Sequence, residues 1–571
     1  MNHLELRQKF LQFFESRGHI FVPSASLLPK DDSSVLLTTA GMQQFKPYFV
    51  GLKDATNDFG SQNVVSIQKC FRTADIDEVG DETHLTFFEM LGNFSFGGYW
   101  KKEAIEYAWK FLTSAEYMNI DVSRLYATYY SGNRTGTTED IEAKRILGTL
   151  PGLTKIIAQP DTDNFWGPTG AEGPCGPTVE FYVDGVEVWN LVFNEFYCHP
   201  DGKLTPLPTK GVDTGMGLER LLVAVNKLDS IFDGDIFVPI AVKLTNLPIK
   251  TQRIIADHIR GVVFLLADHV RPSNKEQGYI LRRILRRVLL HIHSSGVRLD
   301  ELIDTVVNLF GTAYPEFTTE HQTILQFARE EADKFSRTLE IGSKELDKLL
   351  QTSPNGITGQ QAFNLFASYG LPIDFIKEKV SVNESEFETA FVQHQDISRA
   401  GVEEKFGGHG LSTGAVVSEA DQQIITKLHT VTHLLHSALR EILGREIHQG
   451  GSDINPERTR FDFAFPRRVE PDELKQIENW VNGKIQAGFV VKKETLPYET
   501  AIQAGALAFF KEKYPAEVDV YTIYNENTGE VISKELCGGP HIQSSSGLGT
   551  FRIIKEQSSS AGVRRIKAIL E

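Results

Sequence analysis

Leu6, Phe10 and Phe13 fall on one helical face before Gly18, and this spacing predicts an amphipathic N-terminal helix stopped by glycine. From there to about residue 240 the pattern changes to short β-branched and aromatic runs separated by glycine-rich turns. The run VEFYVDGVEVWNLVFNEFY carries Asp184-Gly185 at its centre and predicts an antiparallel hairpin. Between about 245 and 395 the apolar period is helical, with Pro272-Ser273-Asn274 breaking two amphipathic helices. KFGGHGLSTG at 405–414 has turn composition and reads as a linker, after which strand-like and helical patterns mix again. The expected class is multidomain α+β, divided as 1–242, 243–395, a linker over 396–418, and 419–571.

Composition narrows this picture. A chain of 571 residues suggests two to four domains, and 41% hydrophobic residues can fill their cores. No apolar run reaches the roughly 18 residues of a membrane span, and the N-terminus lacks the continuous apolar core of a signal peptide, so a cytoplasmic protein is expected. Cys70, Cys175, Cys198 and Cys537 are too dispersed for a disulfide scaffold and read as reduced thiols or metal ligands. A net charge of −16 opposes general nucleic-acid affinity, so any such contact must be local. One basic stretch exists: from Arg253 to His291, Arg and Lys outnumber Asp and Glu eight to three. It fits a solvated helix face as well as a phosphate-binding surface.

Three segments of the first 220 residues read together as one device. They are GHIFVPSASLLPKDDSSVLLTTAGMQQF, then QKCFRTADIDEVGDETHLTFFEMLGNFSFG with a cation on one arm of a strand-loop-strand, then GVDTGMGLERLLVAV, a strand entering a helix. With WGPTG, GPCGPTVEFY and WNLVF, these words resemble motifs 1, 2 and 3 of class II aminoacyl-tRNA synthetases in the form found in alanyl-tRNA synthetases. The resemblance implies a six-stranded antiparallel catalytic sheet, and ATP, Mg²⁺, L-alanine and tRNA(Ala) as reactants. It puts Arg72 on the α-phosphate, and Arg220 on the adenine and triphosphate with Gly217 beside it. Phe88 stacks on adenine and Glu89 contacts the base or the amino group, although Phe88 alone is equally a strand-core residue. Asp213 takes the α-ammonium, because a buried carboxylate needs a cationic partner, and Trp166, Asn190, Val192 and Gly215 bound the alanine pocket. Arginine suits the phosphate positions, being planar and permanently charged. A small pocket rejects glycine and serine poorly, since a methyl is worth only about 1–3 kcal/mol, so proofreading is expected.

The same family places acceptor-stem contacts in a following helical domain. Arg282, Arg283, Arg286 and Arg287 recur at i, i+1, i+4 and i+5 and could follow a phosphate backbone, with Asn274 as base-edge reader. Ala367 stands where the family commonly has Asp, which removes a carboxylate associated with acceptor-stem reading.

In ITKLHTVTHLLHSALREILG, Leu428, Val431, Leu435 and Ala438 define an apolar face with His429 and His433 four apart beside it. Cys537 and His541 in ELCGGPH repeat that spacing, and three imidazoles with one thiolate are a donor set zinc favours. A zinc protease would need Glu after the first His, where Thr430 stands. With REIHQGGSDINPERTRFDF and AGVRRIKA, the arrangement resembles the editing domain of alanyl-tRNA synthetases and of free-standing deacylases. Gln449 matches a position that handles the mischarged ester, Pro540 replaces the family's Thr, and His436 reads as structural. The zinc is either catalytic or structural. Family members commonly continue beyond this signature, and without that extension a monomer with salt-sensitive tRNA binding is expected. Two rivals remain: a deacylase, which needs only the last 150 residues or so, and a non-catalytic binding protein, which would not need Arg72, Asp213 and Arg220 together.

Overall fold

The N-terminal amphipathic pattern forms the helix His3–Glu15 in the computed structural model, which describes residues 1–571 apart from 30–34, 135, 171, 294, 353–355, 404–418, 509–516 and 561–562. Asn2 Oδ1 accepts from Glu5 N at 2.8 Å and caps the first turn. The helix buries Phe10, Phe13 and Phe14 against Phe111 and Trp189. The chain divides into two units, Met1–Thr338 and Leu339–Glu571. Most of the linker expected at 396–418, its residues 404–418, lies outside the described residues.

The first unit is built on β1 (Ile20–Phe21), β2 (Asn63–Phe71), β3 (Phe87–Ser95), β4 (Leu125–Tyr130), β5 (Ile156–Gln159), β6 (Phe165–Trp166), β7 (Gly173–Val183), β8 (Val186–Cys198) and β9 (Leu204–Gly217). They form one sheet in the order β1-β2-β3-β9-β8-β7-β4-β5, with β6 attached to β7. From β2 through β4 every pairing is antiparallel, which gives the six antiparallel strands that the motifs imply. β1 and β5 add parallel edges. The β7–β8 hairpin turns at Asp184 and Gly185, both with positive φ (50° and 88°), the conformation that Asp-Gly favours. A bulge then shifts the register between Phe181 and Tyr182, so that Glu180 lies opposite Asn190.

The helices Ile249–Ala267, Glu276–Ile292 and Leu299–Phe310 share one hydrophobic core with this sheet. Phe264 stacks on Phe87 at 3.9 Å, and the Asp257 carboxylate accepts from Thr86 N at 3.0 Å and Thr86 Oγ1 at 2.5 Å. Beneath the sheet lies a chain of buried charges. Arg7 of the N-terminal helix pairs with Glu89 on β3, and Tyr314 Oη donates to Glu89 Oε1 at 2.6 Å. Glu89 N in turn donates to the Glu219 carboxylate at 3.3 Å, and Glu219 pairs with Arg260.

In the second unit β10 (Gln449–Asn455), β11 (Arg458–Ala464), β15 (Phe551–Ser560) and β16 (Val563–Leu570) form a sheet in the order β10-β11-β16-β15. A second sheet holds β12 (Val490–Pro497), β13 (Glu517–Tyr524) and β14 (Val531–Leu536). The helix Glu419–Leu443 buries Leu428, Val431, Leu435 and Ala438, the face expected from the sequence, and Val431, Leu435 and Ala438 share a core with Phe461, Phe463 and Ile566. No described helix is long and apolar enough to cross a membrane.

Removing one member of a buried ion pair strands the other charge, at a cost of about 3–5 kcal/mol. Arg7→Met is therefore expected to lower the urea midpoint strongly, and adding Glu89→Gln, which keeps an acceptor for Tyr314, to recover part of the loss. A double variant no more stable than Arg7→Met would show that charge pairing is not what Arg7 supplies.

Candidate active site and metal centre

The strands β3, β9, β8 and β7 present one face to a cavity of about 340 Å³. Side chains alternate along a strand, so Phe88 and Met90 face the cavity while Glu89 does not. This corrects the expectation for Glu89: its carboxylate is committed to Arg7 and Tyr314 on the opposite side of the sheet. Arg72, Phe88, Trp166, Asn190, Val192, Asp213, Gly215, Gly217 and Arg220 all line the cavity.

Arg72 follows the last residue of β2, its guanidinium 4.9 Å from the centre of the Phe88 ring. Arg220 enters from the helix Leu218–Asn226 and faces Glu187 Oε2 at 3.4 Å. Two cations thus border the cavity beside an aromatic face. Asp213 on β9 lies opposite Val192 on β8, and Gly215, two residues along, lies opposite Asn190. A Cβ at Gly215 would come within 2.9 Å of Met90 Sδ, so glycine keeps the pocket open there. Burial alone pushes the Asp213 carboxyl up to about 8.

The expectations missed Glu180 and Glu187, which also line the cavity. Glu180 accepts from Asn190 Nδ2 at 2.9 Å and from Tyr182 Oη at 2.7 Å, and burial, reinforced by Glu187, pushes its pKa up to about 7. The hairpin words alone could not reveal this pairing, because an unbulged two-residue turn would leave Glu180 and Asn190 on opposite faces.

The basic stripe is less free than its spacing suggests. Arg282 donates to Asn274 Oδ1, Arg283 Nη2 donates to both carboxylate oxygens of Asp77 at 2.7 and 2.8 Å, and Arg286 pairs with Glu331 at 2.7 Å. Arg287 donates to the Ile76 carbonyl at 2.6 Å. Asn274 is exposed, as is Ala367 on the helix Gly359–Tyr369. Arg283 and Arg287 hold the loop that follows Arg72, which gives the stripe a structural task.

In the second unit the donor atoms of His429, His433, Cys537 and His541 lie within 4.8 Å of one another. Each imidazole uses Nδ1 outward. His429 Nδ1 faces the Pro540 carbonyl at 3.2 Å, His541 Nδ1 faces Thr430 Oγ1 at 3.2 Å, and His433 Nδ1 faces Glu535 Oε2 at 2.6 Å. The Nε2 atoms of His429 and His541 then approach Cys537 Sγ at 3.4 and 3.3 Å. Outward Nδ1 contacts fix the tautomer and aim Nε2 inward, so these residues fit a metal that takes nitrogen and sulfur. Burial pushes His541 down to about 4, so it is neutral and able to ligate. His436, read as structural, shares the Glu535 carboxylate with His433, donor to acceptor 3.0 Å. The carbonyl of Pro540 is thus in use even though its residue supplies no hydroxyl. Gln449 opens β10 and donates to Ser452 Oγ at 3.0 Å, and no described hydrogen bond ties it to the cluster.

A family model described as tRNA synthetases class II (A) matches residues 5–433, and the second additional domain of threonyl and alanyl tRNA synthetases matches 518–567. An alanine–tRNA ligase of Borrelia hermsii (strain HS1 / DAH) is 40% identical over 607 aligned residues, covering 99% of each chain. One of Treponema pallidum (strain Nichols) is 40% identical, covering 99% of this chain and 98% of its own. One of Dehalococcoides mccartyi (strain CBDB1) is 34% identical, covering 99% of this chain and 79% of its own. The chain belongs to the alanine–tRNA ligase family of class II tRNA synthetases.

The raised Asp213 pKa has two consequences. Between 3.8 and about 8 the folded protein holds this proton more tightly than the unfolded chain, so the site costs stability progressively as pH rises through that window, and fully above it. Asp213→Asn is expected to raise the unfolding midpoint, more at about pH 9 than at about pH 5. An ammonium ligand must displace the proton, so below about pH 8 the dissociation constant for alanine should rise about tenfold per pH unit. Calorimetric titration at several pH values checks this, and a flat profile would exclude Asp213 as the ammonium's partner.

Proposed function

We propose that Arg72, Asp213 and Arg220 carry the activation of alanine with ATP, and that the His₃Cys cluster serves hydrolysis of wrongly charged tRNA. The protein is an ATP-dependent ligase that attaches alanine to tRNA(Ala) and also deacylates mischarged tRNA. Its reactants are ATP, alanine and tRNA(Ala). The observation that carries the site assignment is the buried Asp213 carboxylate, with no cation paired to it among the described residues, in the same cavity as two arginines.

Asp213 receives the α-ammonium, and the alanine carboxylate is left facing Arg72. One carboxylate oxygen forms a bond to the α-phosphorus while the bond to the β-phosphate bridging oxygen breaks, giving alanyl-adenylate and pyrophosphate. Arg72 stabilises the charge on the α-phosphate, Arg220 that on the polyphosphate, and Phe88 stacks on the adenine beside Gly217. ATP enters with Mg²⁺, which supplies charge neutralisation at the phosphates. The terminal ribose hydroxyl of tRNA then attacks the alanyl carbonyl and AMP leaves. Trp166, Val192, Asn190 and Gly215 bound the methyl pocket, whose size discriminates weakly against glycine and serine.

In the second unit we assign Zn²⁺ to His429, His433, Cys537 and His541, where it supplies Lewis acidity or fixes the pocket's shape. Water adds to the ester carbonyl and the ribose oxygen leaves with a proton. Gln449 contacts the mischarged ester in this reading. Residues 243–395 serve tRNA recognition, with Asn274, Arg282, Arg283, Arg286 and Arg287 as contacts, and the protein works in the cytoplasm as a monomer.

ATP–pyrophosphate exchange is expected to be strong with alanine, weaker with serine and glycine, and reduced about 100-fold or more in Asp213→Ala. Absence of alanine-dependent exchange in the wild type would overturn the reading. For the second site, Cys537→Ala should lower bound zinc measured by atomic emission and abolish hydrolysis of Ser-tRNA(Ala), with exchange unchanged. Full hydrolysis without metal would remove zinc from the assignment.

A further inference from the structure

Residues 72–86 supply one wall of the cavity, which Arg72, Asp75, Thr83, His84 and Leu85 all line. By sequence the segment suits a polyphosphate badly, because Asp75, Asp77, Glu78, Asp81 and Glu82 set five carboxylates beside a single arginine. The fold draws two of them off. Asp77 pairs with Arg283 of the helix Glu276–Ile292 at 2.7 Å, and Glu82 with Arg253 of the helix Ile249–Ala267 at 3.6 Å, and neither pair lines the cavity.

Both ends of the segment are gripped by one relay, most of it buried. Arg72 N donates to the Thr86 carbonyl at 2.8 Å, which closes the base of the loop. Thr86 in turn gives its N–H to Asp257 Oδ1 at 3.0 Å and its hydroxyl to Asp257 Oδ2 at 2.5 Å. Asp257 Oδ2 also faces His258 Nδ1 at 2.9 Å, and His258 Nε2 faces Arg287 Nη1 at 3.3 Å. The same Nη1 donates at 2.6 Å to the carbonyl of Ile76, the last residue of the helical turn Thr73–Ile76 that Arg72 opens. A guanidinium only donates, so the imidazole nitrogen facing it must accept. Burial lowers the His258 pKa, and the neutral ring then carries its proton on Nδ1, toward Asp257. The relay therefore has a fixed sense, from Arg287 through His258 to Asp257, and Thr86, Asp257 and His258 are all fully buried.

We infer that Arg287 is a positioning residue for the nucleotide: with His258, Asp257 and Thr86 it clasps both ends of the loop 72–86, so that Arg72 meets the α-phosphate of ATP. This rests on the reading of the cavity as the alanine-activating site. Arg287 itself touches no reacting atom. Arg72 stands at the base of the loop with its guanidinium by the Phe88 ring, so a shift of either end carries the cation with it. A misplacement of about 1 Å can cost about 100-fold in rate. Every member of the relay belongs to the first unit, and its task is exerted without tRNA.

The test is calorimetric titration of the full chain with MgATP, and separately with alanine, in the absence of tRNA. Arg287→Met should weaken MgATP binding roughly tenfold, the scale of a lost hydrogen bond from a charged group, and leave alanine binding within about twofold. In an Arg72→Ala background the same substitution should add nothing, because residues acting through one another are not additive. A general loosening of the fold would instead weaken both ligands and add to Arg72→Ala. Unchanged MgATP affinity, an equal loss for alanine, or full additivity with Arg72→Ala would overturn the inference. If Arg287→Met shows no cooperative melt, Thr86→Val carries the test, since it keeps the branched shape and removes the hydroxyl given to Asp257. It must weaken MgATP about threefold or more, the scale of a neutral hydrogen bond, and spare alanine. No change there sinks the idea. A wild type that binds no MgATP, or an Arg72→Ala variant that binds it as tightly as wild type, would reject the activation reading itself. Normal binding by both of these with an indifferent Arg287→Met rejects only this role.

Discussion

Glu219 connects two parts of the first unit that a synthetase must keep in register. The residue lines the cavity, while its carboxylate pairs with the buried Arg260 of the helix Ile249–Ala267 and accepts from the backbone of Glu89, itself held by Arg7 and Tyr314. Burial raises the Glu219 pKa and Arg260 opposes that rise, so the carboxylate stays in place because a cation is buried beside it. Desolvated charges tolerate little displacement, and that fixes where the helix Leu218–Asn226 begins and therefore where Arg220 stands. The same logic explains why helices after residue 243 share the sheet's core. Arg260 and Asp257 would be stranded without Glu219 and Thr86.

Most residues that the motif words single out line one cavity, because glycine turns, strand-bound cations and the DTGMGLER entry into a helix carry their chemistry in residue type and order. The words could not assign faces. Glu89 adjoins Phe88 and the motif implies a ligand contact for it, but strand alternation sends it below the sheet, where its partner is 82 residues away. Glu180 was missed for the converse reason, since one bulged residue decides whether it faces Asn190, and a bulge leaves no signature in hydropathy. The arginine stripe from 282 to 287 shows a third limit. Spacing predicted a common face, but the partners Asp77, Ile76 and Glu331 come from elsewhere in the chain and engage it.

The metal cluster was legible because two pairs of ligands each keep a four-residue spacing, His429 with His433 and Cys537 with His541. What joins those pairs was not. Glu535 accepts from His433 and His436 at once, and Ser533 Oγ donates to it at 2.9 Å, so the inner orientation of His433 is enforced by a carboxylate that ligates nothing. Burial opposes charge on His433, and Glu535 with Cys537 outweighs it, raising the imidazole well above its ordinary value.

Two sites on one chain follow from what a small pocket can and cannot do. In the proposed reading Asp213 receives the α-ammonium, which every amino acid carries, so it contributes affinity without selectivity. In that reading selectivity rests on volume, through Gly215 against Met90 and Val192 opposite Asp213, and volume excludes larger side chains but not the smaller glycine. Serine adds only a hydroxyl, and a cavity already lined by Glu180 and Glu187 offers that hydroxyl acceptors. Making the pocket polar enough to hold the ammonium therefore makes it more welcoming to serine. The discrimination it gives up must be recovered after transfer, by a site that reads the ester rather than the amino group.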